Sequence, residues 1–241
     1  MPWYPLVAER GHDIQNPTSV EKIRLLGERL RLGPDSRVLD IACGRGGPAL
    51  VLASTFGCRI HGVERASEFA DAARERASQA GLADLIEIVE ADAREYPLAP
   101  GTWDVALCLG ATFVWDGLEG TLAALTPAVR AGGHVVVGEP YWRRWPLPAG
   151  DPDLGYVSLG ETVEKLEASG VSLVSLIAAS RDDWDRYESP HWQAVEEWLA
   201  EHPDDPGAEK LRRENDEHKL RYLEVGRELL GWAILAGWKG S

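Results

Sequence analysis

The sequence predicts an α/β fold with a doubly wound, mostly parallel sheet and helices on both of its faces. Two observations support this prediction. Short apolar segments alternate with helical segments between residues 37 and 140, and a glycine-rich turn joins the first apolar segment to the helix that follows. Strands that alternate with helices form a parallel sheet, because each crossover helix returns the chain along one face of it.

Each element has its own local signal. Apolar segments ended by glycine or polar turns predict strands at 37–42, 58–64, 85–92, 103–110, 134–140, 171–180 and 231–238. Apolar residues at helical spacing predict helices at 18–30, 48–57, 66–80, 118–130, 160–170, 190–201 and 207–229. Thr18 and Glu21 fit a capping box at the start of the first helix, just after Pro17.

Composition and charge favour a single globular domain over residues 1–241. Hydrophobic residues make up 44% of the chain and charged residues 27%, and the formal net charge is −14. This negative charge opposes binding to nucleic acid and to anionic membranes, and no apolar run reaches the roughly 18 residues that span a bilayer. The N-terminus does not resemble a signal peptide. Three cysteines without a CxxC spacing predict reduced thiols and a cytoplasmic protein.

The most informative segment is the loop after the first strand. Gly44, Gly46 and Ala49 match the dinucleotide pattern GxGxxG/A, and Glu64 lies where a ribose-binding acid is expected. Asp40, four residues before Gly44, is unfavourable beside a pyrophosphate because like charges repel. The same carboxylate is favourable for a ligand that carries an ammonium group.

The segment VLDIACGRG resembles the first motif of the class I S-adenosylmethionine-dependent methyltransferases. Asp40 is the acid of that motif, Gly44 and Gly46 are its second and third glycines, and Ala42 replaces its first glycine. HGVER, EADAREY, DVALCLGAT and LTPAVRAGGHVVVGEP resemble the later motifs, in the same order, within residues 37–140. The resemblance implies a Rossmann-like sheet of seven strands, with the last strand antiparallel and inserted beside the fifth. It makes 37–140 the cofactor-binding core and 190–230 a helical insertion before the last strand.

The resemblance also implies roles for residues near the methionine part of S-adenosylmethionine. The backbone from Ala42 through Gly44 to Gly46 would contact it, and Asp40 would favour its amino group. Leu109, at the end of the fourth strand, would border the sulfonium.

For the adenosine part, the resemblance implies four further residues. Glu64 would accept hydrogen bonds from both ribose hydroxyls, since a carboxylate has two acceptor oxygens. Arg65 would flank the adenine. Asp92 would accept from the adenine amino group, while the N–H of Ala93 would donate to a ring nitrogen.

The methyl acceptor is expected to be a small molecule. After the fourth strand the chain has Leu109-Gly110-Ala111-Thr112 and not the (Asp/Asn/Ser)-Pro-Pro-aromatic run of nucleic-acid amino methyltransferases. Cys108 lacks the preceding proline of a cytosine-C5 nucleophile and is expected to be a buried strand thiol. The six histidines, at 12, 61, 134, 191, 202 and 218, show no i, i+4 pair or ligand cluster. The sequence therefore predicts no metal site.

Several residues are candidates for the acceptor side. Trp115 and Tyr141 are placed there as aromatic neighbours of a cationic sulfonium, with core packing as the alternative. Glu139 and His12 are the candidate general bases if the acceptor must lose a proton. Residues 1–32 are predicted to form a lid and a helix, and the part before Pro17, which includes Trp3, lacks a helical or strand period.

Two other functions stay open at this stage. A regulatory protein that binds the same cofactor without turnover would keep the same loop. A nicotinamide-dependent oxidoreductase would need a hydride-handling Tyr/Lys or His site, which the sequence does not place.

Overall fold

The computed structural model describes residues 4–147 and 155–240 and forms a seven-stranded sheet. Its strands are β1 Arg37–Ile41, β2 Arg59–Glu64, β3 Ile86–Glu90, β4 Trp103–Leu109, β5 Val129–Trp142, β6 Ser172–Ala178 and β7 Leu230–Trp238. Its helices are α1 Tyr4–Ala8, α2 Val20–Arg29, α3 Gly47–Phe56, α4 Ser67–Gln79, α5 Leu118–Ala128, α6 Leu159–Ala168, α7 Arg181–Glu201, α8 Ala208–Arg221 and α9 Arg227–Leu229. Among the described residues, no helix is both long and apolar enough to cross a membrane.

The strand order confirms the predicted topology. The sheet runs β3-β2-β1-β4-β5-β7-β6, and the pairs among β1 to β5 are parallel. β7 is antiparallel and lies between β5 and β6. The order reverses between β1 and β4, which opens a crevice at the carboxyl ends of these strands. Ligands of open α/β sheets bind in such a crevice.

Helices cover both faces of the sheet, as predicted. Side chains alternate along β1, so Val38 packs in a core cluster with residues of α2, α3 and α4, whereas Leu39 packs in another with residues of α5 and α6. Both side chains are fully buried. A strand that is buried on both faces has apolar residues at successive positions. The alternation of apolar and polar residues that is typical of a half-buried strand is therefore absent in this part of the sequence.

Several element boundaries differ from the prediction. Ser19, and not Thr18, caps α2, because its hydroxyl accepts a hydrogen bond from the N–H of Lys22. β5 begins at Val129, so α5 ends earlier than predicted. α7 begins at Arg181, where Ser180 and Asp183 form a capping box. Pro190, which looked like a helix start, lies inside α7.

The N-terminal segment is more ordered than predicted. It contains α1 and a 3-10 turn, Glu9–Gly11. Val7 of α1 packs with Val195 and Leu199 of α7 in a small core cluster. Since this contact joins positions nearly 200 residues apart, no local pattern predicts it. Trp3 lies outside the described residues.

Candidate functional site

A cavity of about 440 Å³ opens at the carboxyl ends of β1, β2, β3 and β4. Most of the residues assigned to the cofactor line it: Asp40, Ala42, Gly44, Glu64, Arg65, Asp92, Ala93 and Leu109. They come from four strand ends and from the glycine-rich loop between β1 and α3. The parallel sheet brings these ends together because the strands all point the same way.

The glycine-rich loop depends on a left-handed backbone. The φ angles of Gly44 and Gly46 are 55° and 74°, and Ala42, in place of the first glycine, has a φ of 51°. An alanine in this region is strained by its Cβ. Gly46 does not line the cavity; it caps the start of α3, and a Cβ there would approach Cβ of Ala73 in α4 to 3.2 Å.

Glu64 ties the end of β2 to this loop. One carboxylate oxygen accepts a hydrogen bond from the N–H of Gly44 at 3.0 Å, and the other accepts from the N–H of Ala66 at 2.8 Å. The side chain is 8% exposed. The carboxylate is thereby fixed in orientation at the cavity wall, and each oxygen keeps acceptor capacity for a second donor.

Asp40 is a buried carboxyl group without a cationic partner in the part of the chain that the structure describes. It is 3% exposed, and its Oδ2 has no hydrogen-bond partner among the described residues. Burial and the nearby Glu64 raise the pKa of Asp40 to about 7. A buried charge without a partner is unfavourable, so this carboxyl group fits a ligand that brings a cationic group into the cavity.

The two charged residues assigned to the adenine lie close together at the cavity rim. Arg65 Nη1 is 3.8 Å from Asp92 Oδ2, and the Arg65 side chain is 74% exposed. The other Asp92 oxygen accepts a hydrogen bond from the N–H of Arg94. Solvent therefore reaches this end of the cavity, and the Arg65–Asp92 pair contributes little to stability by itself.

Residues 13–16 cover the glycine-rich loop. Gln15 Oε1 accepts a hydrogen bond from the N–H of Arg45 at 2.7 Å, and Asn16 Nδ2 donates to the carbonyl oxygen of Leu109 at 3.2 Å. A Cβ on Gly44 would lie 2.2 Å from Gln15 Oε1.

Arg76 of α4 holds the segment 13–16 in place, since its guanidinium donates to the carbonyl and carboxylate oxygens of Asp13. Gln15 and Asn16 line the cavity.

Four residues predicted for catalysis or the acceptor do not line the cavity: His12, Trp115, Glu139 and Tyr141. Trp115 packs on the α5 and α6 side of the sheet. Tyr141 is 8% exposed, and its ring packs over Gly231 of β7.

Glu139 is a buried group on β5. It is 9% exposed, and its Oε1 has no hydrogen-bond partner among the described residues. Burial raises the pKa of Glu139 to about 7, although a hydrogen bond with Thr112 acts in the opposite direction.

The cavity is also lined by Glu9, Phe113 and Tyr187, which are not among the residues assigned to the cofactor or the acceptor. Phe113 is 69% exposed, which is unusual for so large an apolar side chain and marks it as part of the cavity mouth. The Tyr187 hydroxyl donates a hydrogen bond to Glu9 Oε1 at 2.8 Å. The sequence signal that could have identified Phe113 is its position just after a strand. Glu9 and Tyr187 have no such signal, because they meet only through the packing of the N-terminal segment on α7.

Behind Glu9 and Tyr187, the structure brings two histidines together. His12 and His191 are each 7% exposed, and their ring centroids lie 4.4 Å apart. The spacing of the histidines in the sequence shows no ligand cluster, but in the fold His12, His191 and Glu9 place one possible ligand atom each within 4.8 Å of one another. Residues 9 and 12 are far from 191 in sequence, so spacing did not reveal the cluster.

Comparison with known proteins gives a consistent result. Residues 38–133 match a family model described as a methyltransferase domain. The Escherichia coli K12 protein YjhP is 32% identical over 239 residues, which cover 95% of each chain, and its X-ray structure superposes with a TM-score of 0.91. A 27-O-demethylrifamycin SV methyltransferase of Amycolatopsis mediterranei is 26% identical over 201 residues, covering 77% of this chain and 71% of that protein.

A solved structure of similar extent carries a ligand. It is a SAM-dependent methyltransferase from Geobacter sulfurreducens in complex with S-adenosyl-L-homocysteine, 32% identical, with a TM-score of 0.91 and coverage of 98% of each chain. Together with the sheet order and the glycine-rich loop, these similarities show that the chain belongs to the class I S-adenosylmethionine-dependent methyltransferases.

Proposed function

We propose that the protein binds S-adenosylmethionine in the cavity described above and transfers its methyl group to a small-molecule acceptor by in-line SN2 displacement. The observation that carries this proposal is Asp40. Its carboxyl group is buried, faces no cation among the described residues and lies beside a loop of left-handed backbone. The amino group of S-adenosylmethionine would supply the missing cation.

The residues that line the cavity fit the remaining parts of the cofactor. Glu64 would accept hydrogen bonds from the ribose hydroxyls at the lone pairs that Gly44 and Ala66 leave free. Arg65 would flank the adenine, with Asp92 and the N–H of Ala93 at its edge.

The methionine part would lie against the backbone from Ala42 to Gly44, with Leu109 near the sulfur. Gly46 would act indirectly, by holding the loop and the start of α3 in place. When bound, S-adenosylmethionine supplies a methyl group on a sulfonium that is electrophilic without help from the protein.

The residues around the methyl group then act mainly by positioning. Holding an acceptor in line at near-attack distance removes much of the entropic barrier to a bimolecular reaction. Phe113, Glu9 and Tyr187 line the cavity without a role in the cofactor assignment, so we place the acceptor against them. His12 lies directly behind Glu9, and Glu139 lies within the sheet. Neither side chain lines the cavity, so His12 or Glu139 could act as a general base only through an intervening group.

Charge and size favour a small acceptor. The net charge of −14 opposes the phosphate backbone of nucleic acids. The cavity of about 440 Å³ is of the size that typically encloses small ligands. The cysteines are free and buried, which supports the cytoplasm as the place of action.

The test uses S-adenosylmethionine with a tritiated methyl group and a bacterial extract separated into small-molecule, protein and nucleic-acid fractions. We expect label to enter the small-molecule fraction, and we expect Asp40→Asn to abolish this labelling. Label in nucleic acid or protein would contradict the small-molecule acceptor. Tight cofactor binding with no label in any fraction would favour the regulatory alternative.

A further inference from the structure

We propose that Glu9, His12 and His191 form a binding site for a divalent transition-metal ion such as Zn²⁺, next to the cofactor cavity. This site goes beyond the proposed methyl transfer and does not depend on it. It would fasten the N-terminal segment to α7 at the place where both contribute residues to the cavity wall.

The candidate ligand atoms of the three residues lie within 4.8 Å of one another, and both carboxylate oxygens of Glu9 face a histidine ring. Glu9 Oε2 is 3.4 Å from His12 Nδ1, and Glu9 Oε1 is 3.1 Å from His191 Nε2. Bonds of about 2.1 Å to one ion leave neighbouring ligand atoms roughly 3–3.5 Å apart. Glu9 Oε2, His12 Nδ1 and His191 Nε2 are all buried and lack a hydrogen-bond partner among the described residues. Three unsatisfied polar atoms in one cluster are unusual in a folded protein.

The contacts of His12 favour a cation beside its second ring nitrogen. His12 Nε2 lies 2.8 Å from the carbonyl oxygen of Tyr187, so it must carry the hydrogen that is donated there. In the neutral ring, Nδ1 then presents a lone pair toward the carboxylate of Glu9, and two acceptors repel each other. A metal ion between Nδ1 and Oε2 turns this repulsion into two bonds.

The surrounding groups hold the ligands as metal sites usually require. Ligating histidines normally donate their other ring nitrogen to a carbonyl or a carboxylate, which fixes the tautomer and the ring orientation. His12 has the Tyr187 carbonyl in that position. His191 Nδ1 lies 3.8 Å from Glu188 Oε2, which is an ion-pair distance and too long for a hydrogen bond. Glu9 Oε1 accepts from the Tyr187 hydroxyl, which leaves Oε2 for the ion.

The donor set indicates the class of metal. Two imidazole nitrogens and one carboxylate suit Zn²⁺ and related borderline ions, whereas Mg²⁺ and Ca²⁺ prefer oxygen ligands alone.

The experiment is a Zn²⁺ titration of the full-length, tag-free protein after removal of metal with EDTA, in competition with a coloured chelator. We expect one equivalent to bind the wild type. His12→Gln and His191→Gln should each weaken binding roughly 100-fold, by loss of a direct ligand. His202→Gln is the matched control, because His202 is an exposed residue after α7 that stacks on Trp198. It should bind Zn²⁺ like the wild type.

Co²⁺ provides a second measurement, since its visible spectrum reports nitrogen and oxygen coordination. Circular dichroism and S-adenosylhomocysteine binding check that the variants are folded. Binding of less than one equivalent by the wild type would overturn the proposal, whatever the variants do. It would also be overturned if folded His12→Gln and His191→Gln variants bound Zn²⁺ as tightly as the His202→Gln control. Because the readout is metal binding, failure here is separate from failure of methyl transfer.

Discussion

The carboxylate of Glu64 accepts a hydrogen bond from the N–H of Gly44 at 3.0 Å, and so joins the end of β2 to a loop that lies 20 residues earlier in the chain. The second oxygen accepts from Ala66 at the start of α4. One side chain therefore orders both the loop and the helix that border the cavity. Glu64 therefore affects ligand binding in two ways: by direct contact with the ligand, and by fixing the backbone around the cavity.

Glu64→Ala is expected to weaken S-adenosylhomocysteine binding about tenfold or more, because hydrogen bonds to a charged group contribute roughly 1.5–3 kcal/mol each. Calorimetric titration measures the dissociation constant. Glu90→Ala is the control, since Glu90 pairs with Glu64 in register but is exposed. An unchanged dissociation constant in a folded Glu64→Ala variant would place the ribose site elsewhere.

Asp40 should make ligand binding depend on pH. Its folded-state pKa is about 7, raised by burial and by Glu64. Below that pH the group is mostly protonated, and it cannot pair with the amino group of the ligand without losing a proton. The affinity for S-adenosylhomocysteine should therefore rise about tenfold between pH 6 and pH 8 and then level off. Asp40→Asn should bind weakly and without this dependence. A pH-independent affinity in the wild type would contradict the assignment.

Ala42→Gly should stabilise the protein. At a φ of 51°, an alanine at position 42 is about 1 kcal/mol less favourable than a glycine in the folded state. Part of this difference is cancelled because glycine loses more conformational freedom on folding. We expect the free energy of unfolding to rise by roughly 0.5 kcal/mol in urea titrations. Ala111→Gly is the matched control: Ala111 also lines the cavity, but its φ is −135°. That change should be destabilising. Stability lowered equally in both variants would show that Ala42 is unstrained.

Glu139 should destabilise the folded protein as the pH rises. Its folded-state pKa is about 7, above its ordinary value, because the side chain is buried. The folded state therefore binds more protons than the unfolded state between about pH 4.5 and pH 7, and stability falls with rising pH in that range. Glu139→Gln keeps the volume and removes this ionisation. Its melting temperature should exceed that of the wild type by more at pH 8 than at pH 5. An equal difference at both pH values would show that Glu139 ionises normally.

The N-terminal segment is predicted to close over the ligand, and Arg76 is predicted to hold it there. Trypsin should cut after Arg10 more slowly when S-adenosylhomocysteine is present, because the segment covers the glycine-rich loop. Arg76→Ala removes the hydrogen bonds to Asp13 and should speed this cleavage. Arg74→Ala, on the same helix but paired with Asp71, is the control. Equal cleavage with and without ligand would show that residues 4–17 are not a lid.

Much of the cofactor site follows from local sequence. Asp40, Gly44 and Glu64 stand at fixed distances from strand ends, and a parallel sheet places all its carboxyl ends at one edge. The alternation of strands and helices therefore predicts a parallel sheet and the residues at its edge, whereas the order of the seven strands was implied by the family resemblance. Cys108 was likewise predicted to be a buried thiol, and the structure confirms it.

The acceptor side and the histidine cluster were decided by tertiary structure. Whether Trp115 or Tyr141 faces the cavity depends on how each ring packs against α5 or β7, and a sequence pattern carries no such information. Glu9 and His12 meet His191 because α1 packs on α7, which brings together residues separated by about 180 positions. The sequence determines local conformation and the sheet edge, since these depend on near neighbours. The contacts that complete the cavity depend on the burial of apolar surface between distant helices, and this became visible only in the folded chain.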